Sequence, residues 1–178
     1  MVPKTPNAFA IWITGLPASG KSTLTASVAA QLDAKGLDVA VLESDALRRV
    51  LVRHSLYDEQ ERDAFYTQMV YIGGLLTQHG VPVIFDATAN RRSYRERARQ
   101  QIPCFLEVYV ATPLEICMAR DPKGIYQKAR EGAATSVPGL QVPYEAPERP
   151  DVIVYSEGEA SDAAAARIIT ALGKKGYL

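Results

Sequence analysis

The sequence predicts a three-layer α/β/α fold, a single domain built on a five-stranded parallel sheet. Three observations carry that expectation. Short apolar runs at residues 9–14, 39–42, 81–85, 105–110 and 152–155 alternate with stretches of helical periodicity, the pattern of βαβ units with right-handed crossovers. A glycine-bounded loop joins the first apolar run to the first helical stretch. The 178 residues suit one domain, contain no internal repeat, and are 47% hydrophobic, enough to bury a full core.

Residues 1–7 are polar, carry two prolines and read as a loose lead-in. The run Phe9-Ala10-Ile11-Trp12-Ile13-Thr14 fits a parallel strand buried on both faces. Residues 22–32 form a helix with Leu24, Val28, Ala29 and Leu32 at helical spacing, and Gly36 is a plausible cap beyond its end. The second strand, 39–42, runs through Glu43-Ser44-Asp45 into a helical stretch marked by Leu47, Val50 and Leu51. A long helix follows over 58–79, ended by Gly80, with Met69, Ile72, Leu75 and Leu76 as its core stripe. The third strand, 81–85, stops at Asp86. Residues 90–101 are polar and helix-compatible, with arginines at 91, 92, 95, 97 and 99. The fourth strand is 105–110, followed by a short helix over 113–120. Residues 121–149 are rich in proline, glycine and charge and lack apolar periodicity, so they read as a long irregular segment of the kind that closes over an active site. A tolerated surface insertion is the alternative. The last strand, 152–155, and a helix over 160–174 complete the chain.

Charge and cysteine content narrow the partners. Lys plus Arg and Asp plus Glu both total 20, a net charge of zero, which argues against binding along a nucleic-acid backbone. Cys104 and Cys117 lie beside apolar residues with no metal-ligand spacing, so reduced, buried thiols are expected. Residues 1–7 lack the apolar segment of a signal peptide and no run reaches transmembrane length, so the expectation is a cytoplasmic protein without a membrane partner.

The loop Gly15-Leu16-Pro17-Ala18-Ser19-Gly20-Lys21-Ser22 reads G-x-x-x-x-G-K-[ST], a phosphate-binding P-loop, and the strand before it and helix after it are the context that motif requires. Its glycines allow a tight turn that aims backbone N–H groups at phosphate oxygens. Lys21 reaches the β- and γ-phosphates, the Ser22 hydroxyl is placed for Mg²⁺, and Thr23 continues the helix whose positive end faces the same anion. The expected donor is therefore ATP with Mg²⁺. No N-K-x-D motif of base-reading GTPases is present, and the chain is small for an ATPase machine. A small P-loop domain with a charged closing segment fits phosphoryl transfer to a small-molecule acceptor, because closure excludes water as a competing acceptor. Asp45 and Asp86 both stand at carboxyl ends of strands, where ligands bind in open α/β sheets. Together with Lys21 they are the candidate catalytic residues, orienting the acceptor hydroxyl or holding the metal shell. A helix N-cap is the structural alternative for each. Arg48, one turn after Asp45, places a cation at the same mouth.

Asp121-Pro122-Lys123-Gly124-Ile125-Tyr126-Gln127-Lys128-Ala129-Arg130 and Pro143-Tyr144-Glu145-Ala146-Pro147-Glu148 resemble the lid sequences of adenylyl-sulfate (APS) kinases. With the P-loop and Ser44-Asp45-Ala46-Leu47-Arg48, the resemblance spans nearly the whole chain. It implies phosphorylation of the ribose 3′-hydroxyl of APS by ATP and Mg²⁺. It also implies Asp45 at the acceptor hydroxyl, Arg48 on the APS side, Tyr57 in the substrate pocket, and Arg120, Lys123 and Arg130 in the lid near the nucleotide and its phosphates; Arg62, Phe65 and Arg130 complete the residues expected to bind the acceptor. The family is commonly dimeric, so a homodimer is expected. The acceptor half departs from the family pattern. Phe65, Thr67 and Gln68 stand where the family has an asparagine and paired arginines. Thr88-Ala89-Asn90-Arg91 replaces Ser-Pro-Tyr-Arg, and Val137-Pro138-Gly139-Leu140-Gln141 replaces Phe-Thr-Gly-Ile-Asp. An altered acceptor site follows, which leaves two alternatives to APS itself: a related phosphotransferase acting on a different small acceptor, and a non-catalytic nucleotide-binding regulator.

Overall fold

A computed structural model describes residues 8–53 and 55–178. The expected lead-in, residues 1–7, lies outside the described residues. The elements run β1 (Ala10–Thr14), α1 (Lys21–Asp33), β2 (Ala40–Glu43), α2 (Ser44–Leu51), α3 (Glu59–Gln78), β3 (Val83–Asp86), α4 (Arg92–Gln101), β4 (Phe105–Val110), α5 (Leu114–Arg120), α6 (Ile125–Arg130), β5 (Val152–Val154) and α7 (Ser161–Lys174). The five strands form one parallel sheet in the order β2-β3-β1-β4-β5.

The alternation within β1 explains the layering. Ile11 and Ile13 face a core shared with Leu24, Val28 and Leu32 of α1 and with Ile168 and Leu172 of α7. Ala10 and Trp12 face the opposite core, made with Phe65 and Met69 of α3 and Tyr94 and Ala98 of α4. A strand covered on both faces has no polar side, which is why β1 is an unbroken apolar run. Trp12 stacks on Phe85 at 4.6 Å between centroids and donates its ring N–H to the Ala87 carbonyl at 3.1 Å, so its one polar atom is satisfied in the core. Gly73 lets α3 approach the sheet: a Cβ there would lie 2.2 Å from Cζ of Phe85.

The strand order puts the topological switch at β1, from which the chain crosses to β2 at one edge, whereas from β3 it crosses back to β4 on the other side. The crevice at such a point collects the carboxyl ends of the strands. The loop after β1, the start of α2 after β2, and Asp86 at the end of β3 all open into it.

Residues 121–149 correct one expectation. Helix α6 lies inside them, and Tyr126, Ala129 and Val137 pack with Cys117 of α5 into a small third core. A helix of 6 residues shows too few turns for a periodic signal, and its partner, Cys117, belongs to another element. Cys117 is buried as expected, whereas Cys104 is only half-buried; both are free thiols. Among the described residues no helix is long and apolar enough to cross a membrane.

Candidate active site

The loop 15–20 is shaped by backbone conformations that its sequence makes possible. Gly20 adopts φ +103°, and Ala18 takes φ 60°, a left-handed conformation that a residue with a Cβ rarely adopts. Gly15 has no room for a side chain, since a Cβ would sit 2.7 Å from both the Val110 carbonyl oxygen and Ser19 Oγ. The loop is braced from outside. Thr112 donates to the Ser19 carbonyl at 2.8 Å and shares a hydrogen bond with Ser156, to which Arg120 also donates at 3.1 Å. Tyr126 donates to the Pro17 carbonyl at 3.0 Å, linking α6 to the loop.

Lys21 is buried and folds over the loop, its Nζ donating to the carbonyls of Leu16 at 2.8 Å and Gly15 at 3.2 Å. Burial lowers its pKa, an effect that Asp86 opposes most strongly. Asp86 is itself buried, and burial raises its pKa against the charge of Lys21 and the Ser22 hydroxyl. Lysine, acid and serine thus converge at one point, although β3 and the P-loop are far apart in sequence. This cavity, of about 490 Å³, is lined by residues 17–23 together with Glu43, Asp45, Asp86, Arg120 and Lys123. Of the expected P-loop residues, Gly15 and Leu16 do not line it; their carbonyls accept from Lys21, which does.

Asp45 lies in the first turn of α2, directly after β2. Lys123 reaches it from the segment before α6, Nζ to Oδ2 at 2.6 Å, with Glu43 at 3.7 Å. These carboxylates raise the Lys123 pKa, the hydrogen bond to Asp45 contributing most.

A second cavity, also about 490 Å³, adjoins the first, and both are walled by Pro17, Ser44, Asp45, Thr88 and Ile125. Arg48 is buried in its wall. Its guanidinium lies 4.0 Å from the Phe65 ring centroid and 4.9 Å from that of Tyr57, and it is ion-paired with Glu61. Glu61 also accepts from the backbone N–H groups of Leu56 and Tyr57, the latter at 2.9 Å. That holds Tyr57 at φ 55°, another left-handed residue. Arg62 spans the cavity: Nε donates to the Tyr57 carbonyl at 3.0 Å, one terminal nitrogen to Asn90 Oδ1 at 3.2 Å, and the other to the Ser136 carbonyl at 2.5 Å.

Lys21, Ser22, Thr23, Asp45, Asp86, Arg120 and Lys123 therefore meet around the first cavity, and Asp45, Arg48, Tyr57 and Arg62 around the second. Phe65 and Arg130 depart from their expected places. Phe65 is buried beneath Arg48 and supports it instead of lining the cavity. Arg130, at the exposed end of α6, contacts Met118 Sδ at 3.7 Å and lines neither cavity. On so short a helix, the packing of Tyr126 and Ala129 against Cys117 decides which way Arg130 faces. Glu61, Asn90 and Ser136 were missed as site residues. Glu61 finds its partner, Arg48, on a different helix, and like the other two it gains meaning only when separate segments meet.

A phosphate loop with a buried lysine, two acids at strand ends and an adjoining cation-lined cavity define a small P-loop phosphotransferase cleft. Comparison with known proteins specifies it further. The Adenylylsulphate kinase family profile matches residues 7–155, and the chain belongs to that family. The adenylyl-sulfate kinase of Synechococcus sp. (strain JA-3-3Ab) is 39% identical over 168 residues, covering 94% of this chain and 96% of the relative. A probable adenylyl-sulfate kinase of Pyrococcus abyssi is 36% identical over 96% of this chain and 98% of its own. Among solved structures, the Mycobacterium tuberculosis APS kinase CysC in complex with AMPPNP and APS superposes with a TM-score of 0.89 at 32% identity, covering 94% of this chain and 99% of that one.

Proposed function

We propose that the protein transfers the γ-phosphoryl group of ATP to the 3′-hydroxyl of adenylyl sulfate. The observation that carries this reading is the shared wall. Asp45 borders both the P-loop cavity and the second, arginine-lined cavity, so a hydroxyl presented from the second meets a carboxylate facing the first. Asp45 orients that hydroxyl and accepts its proton as the phosphoryl group leaves ATP. Lys21 exchanges its contacts with the Gly15 and Leu16 carbonyls for the phosphate oxygens, while the loop N–H groups and the start of α1 face the same charge. Arg120 and Lys123 add cations on the nucleotide side. Arg48, Tyr57 and Arg62 hold the acceptor. Residues 121–149 act as a lid, with Arg130 on its outer face.

Ser22, with Asp86 beside it, suits Mg²⁺. Mg²⁺ would keep waters and phosphate oxygens as most of its ligands, so one hydroxyl and one carboxylate suffice on the protein side. When bound, Mg²⁺ offsets charge on the transferring phosphate.

Acceptor identity has a second reading. Arg48 is already neutralised by Glu61 and seated on Phe65, where the family has an asparagine, which favours a related acceptor carrying less negative charge. A non-catalytic regulator fits poorly, because Lys21, Ser22 and Asp45 all stand at the cleft. The two free cysteines suit a reducing, cytoplasmic location. The expected homodimer is checked by light scattering.

A coupled assay of ADP release tests the reading. APS should give saturable turnover and a 3′-phosphorylated product. Turnover with another nucleotide or hydroxyl compound, and not with APS, would transfer the assignment to that acceptor, and background hydrolysis alone would favour the regulator.

A further inference from the structure

We infer that Asn90 is a positioning residue for the acceptor, acting through Arg62; this rests on the reading of the second cavity as the acceptor site. Asn90 is buried in the loop between β3 and α4, and both ends of its amide are used. Oδ1 accepts from Arg62 at 3.2 Å, and Nδ2 donates to the Pro143 carbonyl at 3.1 Å. Its own backbone carbonyl accepts from Glu145 N–H at 2.7 Å. The amide must present oxygen to the guanidinium and nitrogen to the carbonyl, so neither an apolar side chain of the same size nor a carboxylate reproduces it.

The platform under Asn90 is rigid. The preceding Ala89 is fully buried at φ 40°, its N–H donating to the Tyr66 hydroxyl at 3.0 Å and its carbonyl accepting from Arg95. Arg95 is buried too, ion-paired with Glu107 at 2.8 Å and donating to the Glu145 carbonyl at 2.6 Å. The segment from Pro143 is fastened to the base of the P-loop, where the Tyr144 and Thr14 hydroxyls lie 3.0 Å apart. The other partners of Arg62 belong to less constrained parts. Tyr57 is exposed, and Ser136 lies in the part of the proposed lid that precedes Pro143, ahead of the stretch that Tyr144 and Glu145 fasten to the sheet edge. Of the contacts on Arg62, the one from Asn90 is thus tied to the sheet. Arg62 lines the second cavity and not the first, so a loss at Asn90 should fall on the acceptor and spare ATP.

The test is a double-mutant cycle read with APS and ATP, alongside NMR of the Arg62 guanidinium. Asn90→Ala should raise the KM for APS roughly ten-fold and leave the KM for ATP within about two-fold, the scale of one hydrogen bond to a charged group. In an Arg62→Ala background the same change should add less than about two-fold, because its route of action is gone. Multiplicative effects in the cycle, or equal rises in both KM values, would overturn the inference in favour of a merely structural asparagine. Without any acceptor, the separate terminal NH signals of Arg62 should merge in Asn90→Ala as rotation is freed. Unchanged signals would overturn the inference even if APS is phosphorylated, whereas merged signals with no APS turnover would leave the positioning intact and reject APS. Where the alanine variant lacks a cooperative melt, Asn90→Ser is measured against the same limits.

Discussion

On one side of the cleft, the residues proposed to bind phosphate form a single contiguous stretch, 15–23, in which Lys21 donates to the carbonyls of Gly15 and Leu16. On the other side, Arg48, Tyr57, Arg62, Asn90 and Ser136 arrive from segments far apart in sequence and act through side chains. The donor side holds its shape by chain geometry, with Gly20 and Ala18 in left-handed conformations and no space beside Gly15. The acceptor side holds its shape by mutual hydrogen bonding. A backbone cradle tolerates little change in its ligand, whereas a side-chain network can be rewritten by single substitutions. Of the departures from the family pattern on α3, Phe65 packs beneath Arg48 on the acceptor side, whereas Thr67 and Gln68 are exposed and line neither cavity.

That contrast can be broken experimentally. The largest effect is expected for Lys21→Ala, which should lower kcat/KM by about 10³-fold or more while the protein still melts cooperatively, since the loop is braced by Thr112 and Tyr126 as well. Normal turnover in this variant would remove the P-loop from the mechanism. Next, Asp45→Asn should lower kcat about 10²-fold with little change in the KM for ATP, the scale of general-base catalysis. Equal losses in both would make Asp45 part of the donor side. Arg48→Ala should raise the KM for the acceptor by about ten-fold or more, the value of a charge-assisted hydrogen bond, and spare the KM for ATP. A rise confined to ATP would reverse the orientation of the cleft.

The smallest effect concerns stability and distinguishes the two acids. Because burial raises the pKa of Asp86 in the folded state, the folded protein binds that proton more tightly than the unfolded chain. Asp86 therefore destabilises the fold at neutral pH, and the cost is relieved as pH falls through its folded pKa towards the ordinary carboxylate range. Asp86→Asn should raise Tm by a few degrees at pH 7, lose activity, and converge with the parent near pH 4. A lower Tm at pH 7 would mean that the attraction to Lys21 outweighs desolvation.

Much of this was legible in advance for identifiable reasons. The strands are buried on both faces, so they read as continuous apolar runs, and β4 was expected at its observed bounds of 105–110. Asp45 and Asp86 could be placed at the ligand edge because each ends a strand-like run in a parallel α/β pattern. What escaped was whatever depends on partners from elsewhere: α6, which is stabilised by Cys117 on another helix, the outward direction of Arg130, and the placing of Phe65 beneath Arg48.

The sequence by itself determined the parallel α/β architecture, the phosphate loop with Lys21 and Ser22, and the family to which the chain belongs. All three reside in local order: hydrophobic periodicity, glycine at positions where a side chain cannot fit, and contiguous motifs. Only the tertiary structure decided that Asp86 faces Lys21, that Asp45 is shared between two cavities, and that Arg62 is held by Asn90 and Ser136. Those relations join residues distant in sequence, and the packing of α3, the loop after β3 and residues 121–149 over one sheet edge is what brings them within hydrogen-bonding distance.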